Sequence, residues 1–156
     1  MAATLASGAA LADPQTEAEA AAERRPHAVY LELLGKGGAW GAGYDYQPSA
    51  PFAIGATVSW FVQDAQRTLA LSPYLTGYPL YAGRDRLFVQ LGPQLAHVAT
   101  RSPVPEWPGT SGTELSGQLS IGWERRTRLL LRAYGMLAYG KGGFGPWLGV
   151  TAGWTF

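Results

Sequence analysis

Few side chains in this sequence could do chemistry, and their spacing narrows the choice further. There is no cysteine, and the two histidines, His27 and His97, lie 70 residues apart with no carboxylate cluster beside either, so no metal and no cofactor is expected. Lysine occurs only at Lys36 and Lys141, each inside the tetrapeptide Gly-Lys-Gly-Gly, at 35–38 and 140–143. Neither copy has the spacing of a phosphate-binding loop that opens a helix. One reading makes Lys36 and Lys141 a small cationic patch for lipid phosphate, with Trp40 and Phe144 at its boundary. The other leaves the lysines solvated, while the glycines supply the positive φ of two tight hairpins. A third group comprises Glu32, Asp45, Glu114, Glu124 and Arg132, which share a parity with small polar residues. In segment 99–112, Pro103, Pro105 and Pro108 bracket Glu106 and Trp107. Trp107 is then either an anchor for a partner or a lid on its own fold.

The composition bounds what must position these groups. The chain has 156 residues, 21 of them glycine, and only 15% are charged, against roughly 25% in soluble domains. A net charge of +1 argues against nucleic acid as the main partner. All 19 aromatic residues lie in 27–156, whereas residues 1–26 hold ten alanines and no aromatic. Segment 1–12 closes in Ala10-Leu11-Ala12, the small-x-small pattern of a cleavage site, and is expected to be the remnant of a secretory signal peptide. Segment 13–26 is expected to be a flexible extension ended by Pro26.

Beyond His27 the period is two. In Glu114–Glu124, Leu115, Leu119, Ile121 and Trp123 alternate with Ser116, Gln118, Ser120 and Glu124. A strand sends these two sets to opposite faces. Similar segments span 28–34, 40–46, 52–61, 67–78, 87–98, 128–139 and 147–156, separated by breakers at 35–38, 47–51, 62–65, 79–86, 99–112, 125–127 and 140–146. Eight strands in a meander can close into an antiparallel up-and-down barrel with no free edge. In a soluble lipocalin-like carrier the apolar face would point inward. Three features favour the reverse. The polar set is small enough to fill a narrow lumen. Tyr and Trp sit near strand ends, as in the interface girdles of transmembrane barrels: Trp40, Tyr46, Phe52, Trp60, Trp123, Trp147 and Trp154. The final strand ends in Ala152, Trp154 and Phe156.

Those last residues carry a resemblance. Residues 27–156 resemble the small eight-stranded Gram-negative outer-membrane barrels, the class of the OmpA membrane domain and OmpX. In that family a terminal aromatic preceded by alternating hydrophobic residues is the assembly signal, matched here by Trp154 and Phe156, with glycines at 149 and 153 in place of the family's single glycine at the position of Thr151. The resemblance implies a transmembrane barrel in the bacterial outer membrane, both termini in the periplasm, and loops 35–38, 62–65, 99–112 and 140–146 outside. It implies outer-membrane lipids including lipopolysaccharide as partners, insertion by the barrel assembly machinery, and a monomer. Arg84, Arg86, Arg125, Arg126 and Arg128 would then meet phospholipid headgroups. Some barrels of this size are lipid A deacylases with a His-x-Ser pair. Here Ala99 follows His97 at the position of the serine, so the nucleophile is missing and no enzymatic activity is expected. A structural or surface role with a filled interior and no open pore is the expectation, in which Arg132 bonds at least one inward carboxylate. A lipid-modifying enzyme and a lipocalin-like carrier are the alternatives.

Overall fold

Alternation of apolar and small polar side chains leaves the backbone free to pair on both sides, and the chain does so throughout. The computed structural model describes residues 25–102, 109–140 and 143–156, so the signal-like segment 1–12 and most of the extension 13–26 lie outside the described residues. Eight strands follow one another: β1 (His27–Leu33), β2 (Trp40–Ser49), β3 (Phe52–Gln63), β4 (Gln66–Ala82), β5 (Asp85–Thr100), β6 (Thr110–Arg126), β7 (Leu129–Gly140) and β8 (Gly143–Thr155). Each pairs antiparallel with the next, and β8 pairs with β1 to close the barrel. His27 and Phe156 exchange backbone hydrogen bonds at 3.0 Å at the foot of that seam.

The register sets the tilt. Pairing leads from His27 through Tyr46, Ile54, Leu75, Leu91, Leu119 and Leu137 to Pro146, yet His27 itself bonds Phe156, ten residues further along β8. A stagger of this size inclines eight strands steeply to the barrel axis and leaves an interior that side chains can fill. Both described ends of the barrel chain and the three turns at 50–51, 83–84 and 127–128 lie at one end, called here the terminal end. The opposite, loop end carries 34–39 and 64–65 together with the last described residues of β5 and β7 and the first of β6 and β8.

The turns are tighter than the breakers imply. The expected turn 79–86 shrinks to Gly83-Arg84, because Ala82 still pairs with Asp85 and Gly83 adopts φ 63°, which a glycine accommodates without strain. Pro79 is absorbed by a register shift between Gly77 and Leu80. At the loop end the pairing of β7 with β8 runs on to Gly140 and Gly143, which shortens the expected loop 140–146.

The apolar parity points outward. Leu31, Ile54, Leu75, Leu91, Ile121 and Leu148 are among its exposed members, while Tyr30, Tyr74, Phe88, Tyr134 and a set of polar and charged residues are buried inside. This is the inverse of a lipocalin-like carrier. Glycine on the inner wall makes room for tyrosine: a Cβ at Gly43, Gly55 or Gly149 would lie 2.6 Å or less from the ring or hydroxyl of Tyr30, Tyr74 or Tyr134 respectively. Gly43→Val should therefore lower the stability of the refolded barrel by about 1–3 kcal/mol, read from urea unfolding, because Tyr30 has nowhere to retreat.

Candidate functional site

Inward parity and the ten-residue stagger bring charges from four strands to one level near the terminal end. Arg132 on β7 is the hub. Its Nε donates to Glu124 Oε2 at 2.5 Å and its Nη2 donates to Asp45 Oδ2 at 2.6 Å. Arg126 Nη1 donates to the same Asp45 oxygen at 3.1 Å, and Arg86 Nε donates to Glu124 Oε1 at 2.8 Å. Asp45 and Glu124 are both fully buried. Three guanidiniums thus face two carboxylates, and neutral acceptors take up part of the surplus, while Arg132 Nη1 and Arg126 Nε stay buried without a partner. Arg126 Nη2 donates to the Pro26 carbonyl at 2.9 Å, Arg86 Nη2 donates to Gln47 Oε1 at 3.0 Å, and the Arg86 guanidinium lies 3.7 Å from the Tyr78 ring centroid. Tyr78 also donates to Glu124 Oε2 at 3.1 Å. Planar, multiply donating arginine suits such a layer better than lysine does.

A second pair lies toward the loop end. The segment 34–39 turns into the lumen. Lys36 donates through Nζ to Glu32 Oε2 at 2.9 Å and through its backbone N–H to Glu32 Oε1 at 2.7 Å. The ammonium lies 4.8 Å from the Tyr74 ring centroid and 5.1 Å from that of Tyr134. Ser59 donates to the Lys36 carbonyl, and Gly37, at φ 81°, packs so closely on Gln94 and Ala70 that a side chain would not fit. Between the two levels, the hydroxyls of Tyr30 and Tyr74 bond each other at 2.6 Å, Tyr30 bonds Thr57 at 2.7 Å, and Tyr74 reaches Asp45 at 3.4 Å.

This arrangement corrects several expectations. Lys36 is not on the rim but buried at 1% exposure, so it is not available to lipopolysaccharide phosphate. Glycines on either side of it let the loop turn inward, where Glu32 pairs the charge. Its counterpart Lys141, and likewise Trp107, lie outside the described residues. Glu114 has inward parity but is exposed: it sits on the part of β6 that runs past the first β7 pair, Gly117–Tyr139, where no wall faces it. Arg86 and Arg126 do not point to headgroups, because their parity is that of Phe88 and Glu124, and both are buried. Arg125 does face outward, 3.4 Å from Asp85. Trp147 is half-exposed, yet it pairs with the buried Met136 on the lumen parity, above the last β1–β8 pair, Leu33–Val150. It therefore faces the barrel mouth and not the outer girdle. The other girdle residues, Trp40, Tyr46, Phe52, Trp60, Trp123 and Trp154, have outward parity, with Trp40 paired to Trp60 toward the loop end. Phe156 stacks on His27, ring centroids 5.5 Å apart.

Sequence reasoning missed Arg86, Arg126, Gln47 and Tyr78 as members of the charged layer. Extending the period-two parity through the supposed turns would have found the two arginines. His97 bonds the hydroxyl of Thr113 at 3.1 Å across the β5–β6 pair. Among the described residues no cluster of three His, Asp or Glu side chains could hold a metal ion.

With this geometry in place, the molecule can be compared with others. No family model matches the sequence, and no curated protein does. Solved structures do match. The N-terminal β-barrel domain of Pseudomonas aeruginosa OprF superposes with a TM-score of 0.66 at 11% identity, covering 83% of this chain and 95% of that one. It has the fold of the eight-stranded outer-membrane barrels. Ail, the attachment invasion locus protein of Yersinia pestis, and Neisserial surface protein A each superpose with a TM-score of 0.56 at 11% identity, covering 83% of this chain and 93% of theirs. At this identity the shared feature is the fold, eight strands closed into a barrel.

Proposed function

We propose that this chain spans the outer membrane of a Gram-negative bacterium as a monomeric barrel with a closed lumen, and that it serves a structural or surface-interaction role and not an enzymatic one. The observation that carries the reading is the distribution of side chains: a continuous apolar exterior around an interior crossed by paired charges. Such a surface is compatible with lipid and not with water. The fold shared with OprF, Ail and Neisserial surface protein A supports the same membrane. An even strand count then puts both ends of the barrel in the periplasm and the loop end, with 34–39 and 64–65, outside, with lipopolysaccharide around the Trp40–Trp60 end. Trp154 and Phe156 serve as the signal to the assembly machinery. Closure follows from the Arg132 layer and from the loop carrying Lys36, which occupy the narrow interior at two levels.

Two measurements test this. Fractionated cell envelopes should place the protein with the outer membrane, and its gel migration should shift on heating. The refolded protein in planar bilayers should give no sustained single-channel conductance. Regular openings in purified wild-type protein would overturn the closed lumen while leaving the membrane assignment intact.

A further inference from the structure

The outer wall is not evenly covered. Outward residues fall into rows that cross the strands, and one row is small: Ala56, Pro73 and Pro93 on β3 to β5, closed off on β6 at Gly117, which the Tyr139 ring covers. The neighbouring row toward the terminal end is Ile54, Leu75, Leu91 and Leu119, and the one toward the loop end is Val58, Leu71, Leu95 and Leu115. The flanking rows are four residues apart along each strand, or about 13 Å. Once their side chains are in place, the space between them is that of a single hydrocarbon chain. The depression has a volume of about 950 Å³ and extends to Pro26, His27, Tyr44 and Tyr46 at its lower end. The β4–β5 ladder is interrupted between Leu71–Leu95 and Leu75–Leu91, the stretch that holds Pro73 and Pro93. Proline has no N–H, so these two positions add no unpaired donor to the floor of a lipid-facing groove.

The lower end is chemically different from the floor. His27 Nδ1 and the Tyr44 hydroxyl are hydrogen-bonded at 2.5 Å, and the imidazole stacks between Tyr46 and Phe156, with ring centroids 5.1 and 5.5 Å away. Arg25 precedes it by two residues and is partly exposed. An imidazole at the mouth of an apolar furrow, with an arginine two residues before it in the chain, complements a phosphate on a hydrocarbon chain. We infer that the furrow binds one glycerophospholipid of the periplasmic leaflet, an acyl chain lying along Ala56, Pro73 and Pro93 and the phosphate at Arg25 and His27. The inference rests on the membrane reading above.

The test uses the full chain refolded into phosphatidylethanolamine–phosphatidylglycerol vesicles, extracted in mild detergent and weighed by native mass spectrometry. Wild type should retain one phospholipid. Ala56→Phe, which fills the furrow, should retain at least tenfold less, and Ala56→Leu an intermediate amount. Ala133→Phe, at an exposed small position on β7, should behave as wild type. Arg25→Gln/His27→Gln should lose phospholipid but bind diacylglycerol, which lacks the phosphate, as wild type does. Equal retention by wild type and Ala56→Phe, or none by a folded wild type, overturns the furrow alone. A dimer mass abolished by Ala56→Phe makes a second copy the occupant and also overturns it. Failure of wild type to insert into vesicles overturns the membrane reading and the furrow together.

Discussion

Arg132→Met should cost the barrel about 3–5 kcal/mol, the loss expected when one partner of a buried ion cluster is removed. The size follows from what remains behind. Arg132 contacts Glu124 at 2.5 Å and Asp45 at 2.6 Å, and both carboxylates are fully buried. Arg86 and Arg126 still hold one carboxylate each after the substitution, but each carboxylate loses a close donor where no solvent can replace it. Urea unfolding of the protein refolded in lipid vesicles measures the loss. The triple variant Arg132→Met/Asp45→Asn/Glu124→Gln should be less stable still, since it leaves the buried Arg86 and Arg126 with no carboxylate to pair them. A single variant as stable as wild type would mean that the layer is hydrated and electrostatically weak.

Leu119→Arg should cost about 2–4 kcal/mol in the same assay, whereas Leu115→Arg should cost about 0–1 kcal/mol. Both leucines are exposed on one strand and one face. They differ in height. Leu119 lies between Trp123 toward the terminal end and Gly117, covered by the Tyr139 ring, toward the loop end, whereas Leu115 lies beyond the first β7 pair. An arginine at the centre of a bilayer must carry water or headgroups with it, and near the interface it need not. Equal costs at the two positions would contradict a membrane belt centred on Leu119, and no cost at either would describe a barrel in water.

Much of the fold was legible because period two is a local property. The exposure of Leu115, Leu119 and Ile121, and the burial of Gln118, Ser120 and Glu124, follow from alternation along a single strand. The strand limits were less legible. Asp85 and Arg86 resemble turn residues by composition, yet antiparallel pairing holds them in β5 because Gly83 reverses the chain in two residues. Lys36 was unreadable for another reason. A lysine among glycines has the same sequence on a solvated hairpin as in a loop folded inward, and only the distance to Glu32 separates the two.

By itself, then, the sequence determined the strand count, the two faces and which of them could meet lipid, since each depends only on neighbours one or two residues away. Tertiary structure decided the partners. Asp45 meets Arg132, 87 positions further along the chain, because the barrel closes with a stagger of ten residues, and that stagger is a property of eight strands pairing at once. The same closure aligns Ala56, Pro73 and Pro93 into one furrow, although nothing along any single strand marks them as a set.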